Sequence, residues 1–223
     1  HRLIRRQRQM CIRDRYMTTV LTKDNTGHGT DHIMRVLALA DKILPNEPDA
    51  DAFIVHAAVL LHDVYDDKLY DSEADVIAAK NAMISFLLSI GVDPEKIEAI
   101  TDIIDNMSWS HSLENATHLT LNGQIVQDAD RLDAIGAIAV VRAITYGAVK
   151  NRVLYDPNIP PRIAKDKATY RSNDSTTINH FYEKLLLIKD KLNTDTARAI
   201  AIPRQQFMLD FLSEFKAEWS LEK

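Results

Sequence analysis

The chain has one cysteine among its 223 residues, and that residue, Cys11, lies within the first sixteen positions. A single thiol cannot close an internal disulfide, a cysteine-based zinc cluster needs several, and the body of the chain is left without thiol chemistry. Long apolar runs are lacking as well, because charged residues interrupt each hydrophobic stretch before the roughly 20 residues needed to cross a bilayer. The expectation is a soluble, cytoplasmic chain with no membrane partner. Strand-like alternation and internal repeats are also missing. Positive charge is scarce beyond residue 16. The formal net charge is -5, and since the first sixteen residues hold six of the fourteen arginines against one acid, Asp14, the remainder carries -10. Such an acidic body argues against binding a nucleic-acid backbone.

The opening stretch, HRLIRRQRQMCIRDRY, shows no sustained periodicity and is followed by Met17. It can be read as a basic arm for nucleic acid, as a targeting peptide, or as a segment foreign to the domain. Arginines without interleaved aromatics on an acidic protein make a poor nucleic-acid surface, and the third reading is adopted. Residues 1–16 are expected to be foreign or disordered, and 17–223 to form one domain. A hydrophobic content of 46% gives that length enough apolar material for one sizeable core.

What is present is helical punctuation. Ile33, Val36, Leu37, Ala40 and Leu44 recur at helical spacing, and Pro45, Asn46 and Pro48 end that run. Asp49 is expected to cap a second helix lined by Phe53, Leu60 and Val64. Ser72 with Asp75 forms a capping box for a helix running to Gly91, and Asp93-Pro94 opens another whose stripe is Ile97, Ile100, Ile104 and Met107. Residues 108–122 read as a loop with weak helical character. The Ala, Ile and Val-rich stretch from Gln124 to Lys150 is long for one helix and is interrupted by Gly136 and Gly147, which predicts a kink, two helices, or an end near Gly147. Residues 151–175, with three prolines, form a long connection of the kind that often serves as a lid. A helix over 178–192, a cap at Asn193 or Thr194, and a last helix to Trp219 that Pro203 starts or kinks complete the chain. The fold class expected is all-α, a single-domain helical bundle.

Chemistry gathers in three of these elements. His32 lies one turn before Val36, so its ring projects beside the apolar stripe. His62 and Asp63 are adjacent at the end of the second helix, where a long imidazole and a short carboxylate can converge on one ion. Asp130 falls one turn from both Val126 and Ala134, and a carboxylate on that apolar face is costly to bury without a partner. Asp128 and Asp133 lie within the same six positions and compete with it for any role. One divalent ion held by His32, His62, Asp63 and Asp130 satisfies all four groups. Two imidazoles with two carboxylates leave open positions on an octahedral ion, which suits manganese first, with magnesium, cobalt or iron(II) also compatible, over closed tetrahedral zinc. Arg131, Arg142 and Lys150 share the Asp130 stretch and are cations that an anionic substrate requires, with surface salt bridges as the competing reading. Asp133 shares a helix face with Asp130, where it orients a ligand or bonds a sugar hydroxyl.

The motifs HGTDHIMRV, LLHDVYDDK and QDADRLDAIGAIAVVRA, in that order, resemble the HD-domain metal-dependent phosphohydrolase superfamily. Within it the chain looks closest to single-domain bacterial nucleotide pyrophosphohydrolases of the YpgQ-like kind, a likeness that INHFYEKLL and FMLDFLSEFKAEW extend to the C-terminus. The resemblance selects Asp130 over its neighbouring acids. It implies metal-dependent hydrolysis of a nucleotide, a nucleoside triphosphate giving monophosphate and pyrophosphate, and a homodimer. It further implies a catalytic role for Asp66 or Asp67 as general acid or base and for Lys68 on a substrate phosphate, and it brings His180 toward the pocket. His28 reads as a supporting group, His56 as packing, and His111 and His118 are uninformative. Phosphomonoesterase or cyclic-nucleotide phosphodiesterase activity on the same site, and noncatalytic nucleotide binding, are the alternatives.

Overall fold

The computed structural model describes residues 29–114, 118–162 and 174–222, together with Ile12. Among the described residues there are nine α-helices and no strand, so the all-α expectation holds. In chain order they are α1 Thr30–Ile43, α2 Ala52–Leu61, α3 Glu73–Ser89, α4 Pro94–Asn106, α5 Trp109–Glu114, α6 Leu121–Asp133, α7 Ala137–Val149, α8 Thr177–Glu183 and α9 Asp195–Trp219. Of residues 1–16 only Ile12 is described, and it is buried. His28 and residues 163–173 of the long connection lie outside the described residues.

The centre is α2. Eight of its residues, Phe53, Ile54, Val55, Ala57, Ala58, Val59, Leu60 and Leu61, are buried, as expected of a helix apolar on every side. It packs against α1, α4 and α6, and α1 also packs along α6. These contacts bring the C-terminal end of α2 together with the N-terminal turn of α1 and the second half of α6, which carry the predicted ligands. No single helix among the described residues is long and apolar enough to cross a membrane.

Local signals placed most boundaries. Ser72 accepts from the Asp75 amide and Asp93 from that of Glu95, and Ile97, Ile100, Ile104 and Met107 are all buried. The cap of α2 differs from expectation: Asp51, not Asp49, accepts from the Phe53 amide. Its own amide donates to Asn122 Oδ1 at 2.8 Å and its carboxylate meets the Lys96 ammonium, so tertiary partners decide between two nearby acids. The stretch after Met107 forms the short helix α5. The helix predicted over 178–192 is shorter, with α8 giving way after Glu183 to two 3-10 turns, Leu185–Leu187 and Lys189–Lys191. Thr194 caps α9 by accepting from Ala197, and α9 runs unbroken through Pro203. Buried Ala201 before the proline and Met208 and Leu212 after it anchor both halves to the same core, which outweighs the loss of one helical hydrogen bond.

Gln124 to Lys150 divides in two. Gly136 has φ 95°, and the axes of α6 and α7 differ by 72° across it. A Cβ at Gly136 would lie 3.1 Å from Arg204 Cγ, so both the left-handed backbone and the close approach favour glycine here. Beyond the bend, α7 places Arg142 within reach of His32 and Asp133.

Candidate metal centre

Each predicted ligand is placed by a different local device. His62 is the C-cap residue of α2, where its backbone is still helical, and its Nδ1 donates to the Val59 carbonyl of its own helix at 2.8 Å. Asp63 follows in the turn and is buried. His32 sits in the first turn of α1, 3% exposed, and its Nδ1 donates to Asp133 Oδ2 at 2.7 Å. Asp130 comes from α6 and is the open member of the set, with 34% of its side chain exposed.

These anchors leave the two Nε2 atoms as the groups that face the centre. They lie 3.3 Å apart. Asp130 Oδ1 is 3.4 Å from His32 Nε2 and 3.8 Å from His62 Nε2, and one donor atom from each of these three residues falls within 4.8 Å of the others. Asp63 adjoins them, 3.8 Å from His32 Nε2 through Oδ2 and 3.4 Å from His62 Nε2 through Oδ1. Adjacent ligands on an octahedral ion with bonds of about 2.1 Å are about 3 Å apart, close to the spacing found. The set also fits a cation chemically. With each Nδ1 bound to an acceptor, two imidazole lone pairs and two carboxylates converge, and such a group is stable only around positive charge.

In the protein alone, that charge is a proton. Burial pulls the His32 pKa down, but its bonds to Asp130 and Asp133 outweigh burial and raise it to about 9. Asp130 is held well below the usual carboxylate range: burial works against its charge, but the hydrogen bond from His32 and the neighbouring positive charge overcome it. A divalent ion bound here would displace a proton from His32, so metal uptake is expected to fall as pH is lowered.

Around the ligands lies a network that sequence reasoning only half anticipated. Asp133, 2% exposed, accepts from His32, from Arg35 Nε at 2.7 Å and Nη2 at 3.0 Å, and from Arg142 Nη1 at 2.9 Å. Asp133 thus fixes the His32 ring, one of the candidate ligands, and Arg142 bonds to the same carboxylate. Arg35 was missed, although its place three residues after His32 put it on the same helix face. Asp128 is fully buried and accepts from the amide and Nδ2 of Asn193 and the amide and Oγ1 of Thr194, which joins α6 to the cap of α9.

The remaining predicted residues lie on several elements. Asp66 is half-buried and Asp67 exposed in the segment after Asp63, with Asp67 opening a 3-10 turn. Lys68 lies in that turn, and its side chain is outside the described residues. Arg131 is buried, with Nη1 donating to the Lys191 carbonyl at 2.6 Å. Lys150 is the C-cap residue of α7, with its ammonium 5.8 Å from the Tyr146 ring centroid. His180 is half-buried in α8, and burial, helped by the Lys184 and Arg152 charges, pushes its pKa down to about 3, so its ring is neutral at pH 7. His56 bonds Asp41 at 2.8 Å, away from the ligand set. Lys184, whose charge acts on Asp130, was missed, because only the turn after α8 brings it there.

Residues 29–135, containing all four predicted ligands, match the HD domain model. The chain is 35% identical to YpgQ of Bacillus subtilis over 91% of its length and 90% of that protein. It belongs to the HD-domain family. HD-superfamily membership makes it, in general terms, a metal-dependent phosphohydrolase. A Lactobacillus plantarum protein structure is similar at 40% identity and a TM-score of 0.85, with 96% of this chain and 98% of that one covered. An HD-superfamily hydrolase of Bacillus thuringiensis matches at 34% identity and a TM-score of 0.74, covering 97% and 98%. YpgQ in complex with ADP matches at 32% identity and a TM-score of 0.76, covering 96% of each chain.

Proposed function

We propose that this HD-domain protein is a nucleotide pyrophosphohydrolase, converting a nucleoside or deoxynucleoside triphosphate to the monophosphate and pyrophosphate. The observation that carries the reading is the convergence of His32, His62 and Asp130, with Asp63 adjoining, on a point open to solvent at Asp130. The complex of the relative YpgQ with ADP supports a nucleotide as the ligand class. His32, His62, Asp63 and Asp130 would hold the ion, with Mn2+ favoured over Mg2+, Co2+ and Fe2+. When bound, such an ion supplies Lewis acidity toward a phosphoryl oxygen and lowers the pKa of water.

The chain's own groups do the rest. Asp133, braced by Arg35 and Arg142, keeps the Nδ1 hydrogen on His32 and so aims its lone pair. The Val59 carbonyl does the same for His62. Asp66 or Asp67 takes the proton from the attacking water, and Lys68 offsets charge on the transferred phosphoryl group. The test is to incubate the purified chain with Mn2+ and deoxynucleoside triphosphates and resolve the products. Monophosphate and pyrophosphate in equal amounts are expected, whereas orthophosphate alone, or no product, overturns the assignment.

A further inference from the structure

Trp109 opens α5, and three cations surround its ring. The Arg131 guanidinium carbon, Lys184 Nζ and Lys191 Nζ each lie 5.7 Å from its centroid. No two are farther apart than twice that distance. They repel one another, and the indole quadrupole, which attracts each, offsets part of that repulsion. Asp128 and Asp130 lie near enough to act on the Arg131 charge, and Asp130 is also influenced by Lys184. Arg131 is 7% exposed, and its Nε is buried with no hydrogen-bond partner. In a chain of net charge -5, three cations gathered around one ring next to an open carboxylate form a place where a multiply charged anion can be held.

The cluster borders the metal centre. Arg131 follows Asp130 in α6, and Asp130 is the ligand on the open side. The charge of Lys184 is felt at the Asp130 carboxylate. Arg131 and Lys191 are also joined directly through the Lys191 carbonyl, which ties the end of the second 3-10 turn to α6 and fixes the base of the group.

We propose that Trp109, Arg131, Lys184 and Lys191 form an anion subsite beside the metal centre that takes the diphosphate group of the substrate, the part released as pyrophosphate. The two lysines meet the phosphate oxygens, Arg131 supplies buried positive charge beneath them, and Trp109 holds the three in place. The assignment of the anion as leaving group rests on the pyrophosphohydrolase reading; the subsite itself does not.

Trp109 and Trp219 are the two tryptophans of the chain, so in a Trp219→Phe background emission reports on Trp109. Inorganic pyrophosphate is titrated into that protein with chelator present. A saturable change in emission is expected, weakened at least about tenfold in Lys184→Gln/Lys191→Gln and restored by Lys184→Arg/Lys191→Arg. Absence of a saturable change, or a change that the glutamine pair leaves unaltered, overturns the subsite. With Mn2+ and a deoxynucleoside triphosphate, the glutamine pair is expected to raise KM more than it lowers kcat. Pyrophosphate binding without nucleotide turnover removes the proposed activity and leaves the subsite standing. Turnover with KM unchanged in the glutamine pair does the reverse.

Discussion

Two sides of one helix treat the same side chain in opposite ways. On the side of α6 that faces the cap of α9, Asp128 is sealed from solvent and surrounded by hydrogen-bond donors from Asn193 and Thr194. On the side that faces α1 and α2, Asp130 meets two imidazoles whose other nitrogens are already engaged, and part of it remains open. A carboxylate with four donors has its lone pairs filled and joins elements together. One whose neighbours are lone pairs and another carboxylate needs a cation. Asp133 stands between these cases, saturated like Asp128 but by groups that steer a ligand. Carboxylate chemistry is thus set by the donors each position meets.

Substitutions can break this contrast. The largest effect is expected at the ligands: Asp63→Ala should leave metal content at background and lower turnover by at least about a thousandfold, since the ion's charge stabilisation is worth several kcal/mol. Full metal occupancy in that variant would remove Asp63 from the set. Asp128→Ala should act on stability, because it strands buried donors of Asn193 and Thr194. A loss on the order of 3 kcal/mol, or a Tm lowered by roughly 10 °C, is expected by calorimetry, with metal bound per folded molecule unchanged. If Asp128→Ala empties the metal site at temperatures where it remains folded, the two sides of α6 are coupled and the contrast fails.

Asp133→Asn should fall between them, weakening metal affinity about 10-fold to 100-fold through the loss of orientation at His32. Titration with Mn2+ measures this, and an unchanged affinity would reduce Asp133 to an ion-pair residue. The last test concerns His180, whose effect vanishes at neutral pH. Its folded pKa, about 3, lies below the ordinary 6.5, so between those values the unfolded chain binds more protons than the folded one. The stability that neutral His180 permits is intact above pH 6.5 and declines as pH falls toward 3. Urea midpoints measured from about pH 7 to pH 4 should fall less steeply in His180→Gln than in the parent chain. Parallel slopes would mean that the imidazole is solvated.

How much of this was readable beforehand depends on the reach of each interaction. Ser72 and Asp93 speak to amides a few residues away, and their caps were evident from spacing alone. The His62-Asp63 doublet was equally plain, as was His32 beside an apolar stripe. Asp49 was mistaken for Asp51 because the choice is made by Asn122 and Lys96, neither of which is local. Arg35 and Arg142 converge on Asp133 from sequence separations of 98 and 9 residues, the second across a bend whose angle no periodicity encodes. The split of the stretch after Glu183 into short 3-10 turns, and with it the position of Lys184, depends on how that segment packs against α9.

The anchoring of the two histidines also orders events in time. His62 is aimed by a carbonyl three residues away, so its orientation is available as soon as α2 forms. His32 is aimed by Asp133, 101 residues along the chain, and closing a loop of that size comes late relative to forming a helix. A refolding chain therefore has half its imidazole ligands poised early and gains the other only when α1 docks on α6, which makes ion capture a clock for that docking step.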